Sequence, residues 1–226
     1  MQPTSFLIAV FEFALLIFSL SVHECAHAWM ASRLGDQTAR LQGRITLNPM
    51  YHVDPIGTLL FPALMIFGPL LGGGMMGGFL IGWAKPTPVI TRNFRNIVRD
   101  DTLTTLAGPV SNLLLALIAF AGLAAMLIAQ GPAAVPEGLS SNVQALEILC
   151  ELAIQVNLAL FFFNLLPIPP LDGSRIVRHL LPYNALSAYD RMGILSYFLM
   201  IFLGAPIVRF FMAPTLHLIY SLLYRI

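Results

Sequence analysis

Charge is scarce in this chain of 226 residues: Asp, Glu, Lys and Arg together make up 10%, against about 25% in an ordinary soluble domain. Hydrophobic residues make up 58%. A soluble surface must be kept polar, so this excess excludes a water-soluble globule and points to a bilayer as solvent. The net charge is +1, which leaves no bulk field to attract nucleic acid. Cysteine is almost absent. Cys25 and Cys150 lie in apolar stretches, with no spacing for a disulfide scaffold or a thiolate zinc site. The first residues, Met1-Gln2-Pro3-Thr4, lack the basic segment of a signal peptide. The apolar run that follows is therefore expected to be a retained membrane helix. No polar stretch is long enough for a second, soluble domain, and residues 1–226 read as one integral-membrane domain.

A spanning helix needs about 20 mostly apolar residues. The regions 6–34, 56–83, 103–129, 143–166 and 193–223 qualify, and Gly204-Ala205-Pro206 is expected to split the last into two helical pieces. Positive charge marks the cytoplasmic loops. It falls at Arg33, Arg40 and Arg44, at Lys85, Arg92, Arg95 and Arg99, and at Arg175, Arg178 and Arg191, while 130–142 has none. Both ends of region 56–83 then lie on the same side. The region is expected to enter and return as a re-entrant hairpin, turning at Pro62, Gly68-Pro69 or Gly72-Gly73-Gly74. The stretches 40–47 and 83–90 are candidates for short strands at the cytoplasmic face. The expected fold is an all-α polytopic membrane protein of four to six membrane helices, with that hairpin and room for a small membrane-associated β-sheet. The same parity puts the ends of regions 6–34 and 143–166 at one depth, in a cytoplasmic membrane with the site towards the cytoplasm.

At that depth lies His23-Glu24-Cys25-Ala26-His27. In a helix, His23 and His27 project from one face, one turn apart, where two imidazoles can hold one zinc ion. Glu24 stands where such motifs place the general base that takes a proton from water. Ionisable residues inside an apolar helix are costly, and three within five residues are poorly explained by packing. A catalytic zinc needs a third protein ligand. Asp172 is the best placed, after the helix-breaking Pro167, Pro169 and Pro170. It either turns inward as that ligand or caps the helix that follows.

The two motifs in this order resemble the site-2 protease family of intramembrane metalloproteases. Asn164 through Leu171-Asp172-Gly173 matches the second motif, and Ala107-Gly108-Pro109-Val110-Ser111-Asn112 resembles the family's Gly-Pro…Asn segment. The segments Asn48-Pro49…His52-Val53-Asp54-Pro55-Ile56-Gly57-Thr58 and Gly82-Trp83-Ala84-Lys85-Pro86 look like a compact prokaryotic branch. The resemblance spans 22–176. It implies one zinc ion held by His23, His27 and Asp172, with Glu24 activating water and later protonating the leaving amine. It implies that Asn112 and Asn164 contact the substrate backbone or the oxyanion. On residue type alone, Asn112 could equally bond between packed helices, and Asn164 could cap a helix end. The implied partner is a membrane protein whose transmembrane helix unwinds before cleavage, held by edge pairing on 40–47 or 83–90. The PDZ or nucleotide-sensing domain of some members, and the extra helix often found before the motif, are not expected here.

Other residues leave two readings each. His52 and Asp54 either touch the metal or form a turn. Glu12 faces either a wet cavity or the outer interface. His179 and His217 read as structural, and Arg175 and Arg178 as anchors at the membrane surface. The alternative function is a polytopic transporter or metal-ion carrier using His and Asp ligands, which would spread polar residues over several depths.

Overall fold

The computed structural model describes residues 3–71, 83–130 and 141–223. Helix α1 is Pro3–Leu34 and α2 is Thr38–Leu41. A wide turn at Pro55–Leu60 leads into α3, Phe61–Phe67. Then come α4, Ile97–Gln130; α5, Ser141–Asn164; α6, Asp172–Leu180; α7, Tyr183–Asp190; and α8, Gly193–Leu223. Four of these are long and apolar enough to cross a membrane: Ser5–Leu34, Ile97–Gln130, Val143–Asn164 and Phe198–Leu223. Large apolar side chains such as Ile118, Phe202 and Phe210 stay exposed on them, as expected when lipid takes the place of water. The protein is an all-α polytopic membrane protein.

Helices α1, α4 and α5 form the centre, with α8 packed on α5. His27 meets Thr104 while Ser19 meets Asn112, so α1 and α4 run antiparallel. Asn112 meets Asn157 while Gln130 meets Glu147, so α4 and α5 also run antiparallel. The C-terminal half of α1, the start of α4 and the end of α5 therefore come together at one end of the bundle. There Phe163, Leu166, Ile168, Leu171, Met200 and Val208 form a cluster that holds the proline-rich loop after α5 against α8. A Cβ at Gly173 would come within 2.2 Å of Leu165 O, so glycine lets the start of α6 pass close to the end of α5.

Two expectations change, and a third point bears on region 56–83. First, α8 is one continuous helix through Gly204 and Pro206. A proline removes one backbone donor, which a helix packed in a bundle can tolerate. Second, no strand forms among the described residues: 40–41 end α2, and 83–90 is extended but unladdered. Its donors are already spent. Trp83 N–H bonds Gly57 O at 3.1 Å and Lys85 N–H bonds His52 O at 2.8 Å, while Pro86 and Pro88 have none. Third, α3 is too short to span. The contact between Gly57 and Trp83 brings the two ends of region 56–83 side by side, as a re-entrant segment requires. Pro62 and Gly68-Pro69 lie in α3 and just after it, while Gly72-Gly73-Gly74 and Gly82 fall outside the described residues.

Gly35, with φ 119°, ends α1, and Asp36 N–H then closes on Ala31 O at 2.9 Å. The Asp36 carboxylate is fully buried and gathers the linker. It accepts from Thr38 N–H at 3.1 Å, Ile90 N–H at 2.7 Å and Asn93 Nδ2 at 2.8 Å. Burial raises its pKa, but hydrogen bonds from Thr38, Asn93 and Ile90 outweigh burial and hold it below its ordinary 3.8. A depressed native pKa means that this stabilisation is complete above pH 3.8 and is lost as pH falls through the lower native value. Asp36→Asn should remove about 1–3 kcal/mol and flatten the acid limb of stability against pH. Thermal unfolding in detergent from neutral to acid pH checks it, and an unchanged acid limb would contradict it.

Candidate metal centre

The three sequence-selected ligands arrive from two structural causes. His23 and His27 lie one turn apart on α1, with ring centroids 4.6 Å apart and planes at 86°. Asp172 is the first residue of α6, set there by the proline-rich turn. His23 Nε2 lies 3.0 Å from His27 Nε2, and Asp172 Oδ2 lies 3.1 Å and 3.3 Å from the two nitrogens. Among the described residues these three form the only cluster of metal-ligating side chains.

Hydrogen bonding decides what those atoms offer. His27 Nδ1 lies 2.7 Å from the Thr104 carbonyl oxygen, which can only accept, so Nδ1 carries the proton. Asn112 Nδ2 donates to Ser19 O at 3.3 Å and to Asn157 Oδ1 at 3.0 Å. That fixes the amide orientation and leaves Asn112 Oδ1 to accept from His23 Nδ1–H at 2.6 Å. Both Nε2 atoms then present lone pairs.

Two lone pairs and a carboxylate oxygen thus converge in a buried place, an arrangement that is repulsive without a cation between them. Ligands about 2.0–2.1 Å from a tetrahedral zinc lie about 3.3 Å from one another, which matches the spacing here. Gly108 supplies the space: a Cβ there would fall 2.4 Å from His27 Nε2 and 2.6 Å from His23 Nε2. The donor set, its spacing and the glycine gap fit a zinc ion, which His23, His27 and Asp172 would hold.

The pocket over the site has a volume of about 370 Å³ and is lined by Glu24, Asn164, Trp83, Thr87 and Arg175 as well as the three ligands. Glu24 is 9% exposed. Its Oε2 accepts from Thr87 N–H at 2.8 Å, and Thr87 Oγ1–H donates to Glu24 O at 3.0 Å. Asn164 lines the pocket and donates to Leu160 O at 2.9 Å within its own helix.

Asn112 is corrected as a substrate contact. It is fully buried, lies outside the pocket lining, and spends its amide between helices and on His23. His52 and Asp54 belong to turns: His52 Nε2–H donates to Thr46 O at 2.8 Å, and Asp54 accepts from Ile56 and Gly57 N–H at 3.0 and 2.7 Å. Arg175 is no surface anchor. Arg175 and His179 both bond the buried Asp101 carboxylate, the latter at 2.7 Å, which ties α6 and so Asp172 to α4. Arg178 pairs with Asp190 at 2.9 Å.

Sequence reasoning missed Thr104, Thr87, Asn157 and Asp101. Thr104 acts through a backbone carbonyl, which leaves no side-chain signature. Asp101 had a readable signal: a carboxylate inside an apolar helix, three residues before Thr104.

Fold and site together define an integral membrane protein with a buried cluster of two histidines and an aspartate that could hold a metal ion. Residues 11–205 match the description peptidase family M50, and the chain belongs to that family, the site-2 protease family of membrane metalloproteases. Over 167 residues it is 44% identical to the Bacillus subtilis (strain 168) protein named "Putative zinc metalloprotease YwhC", covering 74% of this chain and 67% of that one. Over 191 residues it is 32% identical to "Putative zinc metalloprotease Rip2" of Mycobacterium tuberculosis (strain ATCC 25618 / H37Rv), covering 84% and 65%. The chain thus spans about two thirds of the length of these relatives. No solved structure matches it.

Two substitutions separate the roles of α4. Gly108→Ala should leave the purified protein without zinc but with its helix content intact, because a methyl group fills the space between the imidazoles. Full zinc occupancy in that variant, read by elemental analysis, would contradict the site. Asn112→Leu strands the His23 Nδ1–H and should weaken zinc binding about 10–100-fold, read by competition with a chromophoric chelator. An unchanged affinity would show that the Asn112 bond is incidental.

Proposed function

We propose that the protein is an intramembrane zinc metalloendopeptidase that hydrolyses a peptide bond in or near a transmembrane segment of a membrane-protein substrate. One convergence carries that function: two oriented imidazoles and a carboxylate at one point, with Glu24 beside them in a pocket large enough for a peptide segment. A zinc ion in this site supplies Lewis acidity, polarising the scissile carbonyl and making water acidic enough to be deprotonated near neutral pH.

The chain's own residues do the rest. Glu24 takes the proton of the attacking water and returns it to the leaving amine. Thr87 N–H holds the Glu24 carboxylate in one orientation. An amide group has two N–H donors. Asn164 uses one within its helix, and we assign the second to the developing oxyanion. The substrate helix must unwind first, because its peptide groups are shielded and already bonded. We place the unwound segment in the pocket against Trp83, Thr87 and Val89, held by side-chain contact, because the backbone donors of 83–90 are largely spent on the protein itself. The positive-inside distribution of Arg and Lys supports a site towards the cytoplasmic side of a prokaryotic cytoplasmic membrane. The partners are then the bilayer and a membrane protein with a transmembrane helix, not nucleic acid.

Glu24→Gln keeps the shape and loses the base. In detergent or vesicles it should cut a membrane-helix substrate about 10²–10⁴-fold more slowly while retaining zinc. Cleavage at the normal rate would overturn the mechanism, and loss of zinc would move Glu24 from base to ligand support.

A further inference from the structure

We propose that the pocket where α1 leaves the membrane binds the headgroup phosphate of an anionic phospholipid, fixing the depth of the active-site helix. The pocket has a volume of about 550 Å³ and is lined by Trp29, Ser32, Arg33, Arg40, Gly43 and Ile45. It is separate from the metal centre and shares no residue with its lining.

Depth comes first. Arg33 stands one residue before the end of the span Ser5–Leu34, at the level where phospholipid phosphates lie. Its guanidinium sits over the Trp29 ring, 5.3 Å from the centroid, and a half-exposed tryptophan at a span end is typical of the headgroup region. The following loop is too apolar for water: Leu41 is 85% exposed, Met50 79% and Leu47 54%. These side chains need the acyl boundary, and Ile45 in the pocket wall continues that surface.

Charge comes second. The segment 33–55 holds three arginines and two acids. Arg44 is buried and donates to Tyr51 O and Lys85 O. Asp36 is consumed by Thr38, Ile90 and Asn93, and Asp54 by its own turn. Arg33 and Arg40 remain exposed, and among the described residues neither has a carboxylate partner. Two unpaired guanidinium groups in the wall of one pocket, with no acid in its lining, suit a phosphodiester oxygen pair. The acyl chains would run down past Trp29 along α1. His27 lies on the same helix less than two turns above Arg33, so a lipid held here also sets the depth of the metal centre.

The chain has two tryptophans, so Trp83→Phe leaves Trp29 as its sole reporter. That protein is reconstituted in phosphatidylcholine vesicles containing phosphatidylglycerol, with bromine on the acyl chains of one lipid at a time. Brominated phosphatidylglycerol should quench Trp29 more than brominated phosphatidylcholine at equal mole fraction, with a preference of about fivefold for each arginine involved. Arg33→Gln with Arg40→Gln should abolish the preference without moving the unfolding temperature. Equal quenching by the two lipids, or a preference that survives in the double variant, would overturn the proposal. Loss of the preference on adding inorganic phosphate at constant ionic strength would overturn it too, by showing a site for soluble phosphate.

Discussion

Everything in the site depends on two imidazole N–H bonds buried inside the helix bundle. If either Nδ1 proton moved to Nε2, that histidine would present a donor where a lone pair is needed. The Thr104 carbonyl fixes one ring, and the Asn112 amide, itself oriented by Ser19 and Asn157, fixes the other. Both come from α4. So does Asp101, which holds α6 through Arg175 and His179 and thereby holds Asp172. Asp101, Thr104, Gly108 and Asn112 are spaced by three, four and four residues, and therefore share one helical face. A single stripe of α4 serves all three ligands and leaves, at Gly108, the space between them.

The bilayer explains why this stripe is so polar and so completely bonded. Polar groups in hydrocarbon must be satisfied within the protein, and the Asn112–Asn157 bond passes the requirement on to Ala153 O in α5. Each bond that orients a ligand therefore also ties a helix: α1 to α4, α4 to α5, α4 to α6. Catalytic geometry and bundle packing draw on the same contacts. Polar satisfaction also limits where water can enter. The irregular segment 83–90 lines the pocket, as non-helical backbone in a membrane protein is expected to line a cavity.

The parts legible in the sequence were those with strong local signals. The spacing of His23 and His27 on a helix and the proline-rich turn before Asp172 identified the three residues that the structure brings together. Charge parity anticipated that region 56–83 returns to its starting side, as the Gly57–Trp83 contact requires. The misses have physical reasons. Residues 40–47 and 83–90 were strand candidates as short stretches flanking region 56–83, but Pro86 and Pro88 and the loop bonds of Trp83 and Lys85 leave no ladder to form in the second. Pro206 suggested a break, yet a helix packed in a bundle absorbs one lost donor. Asn112 was read towards the substrate because an amide beside a metal motif is chemically apt there. Only the three-dimensional partners show it facing His23. A backbone carbonyl such as that of Thr104 has no sequence signature.

The central claim is the composition of the metal shell, and X-ray absorption at the zinc edge of the purified protein tests it most directly. The account predicts one zinc per chain, bound only by nitrogen and oxygen at about 2.0–2.1 Å, with two imidazole rings contributing. A sulfur shell near about 2.3 Å, which would bring Cys25 into the site, or a shell with a single imidazole, would contradict it.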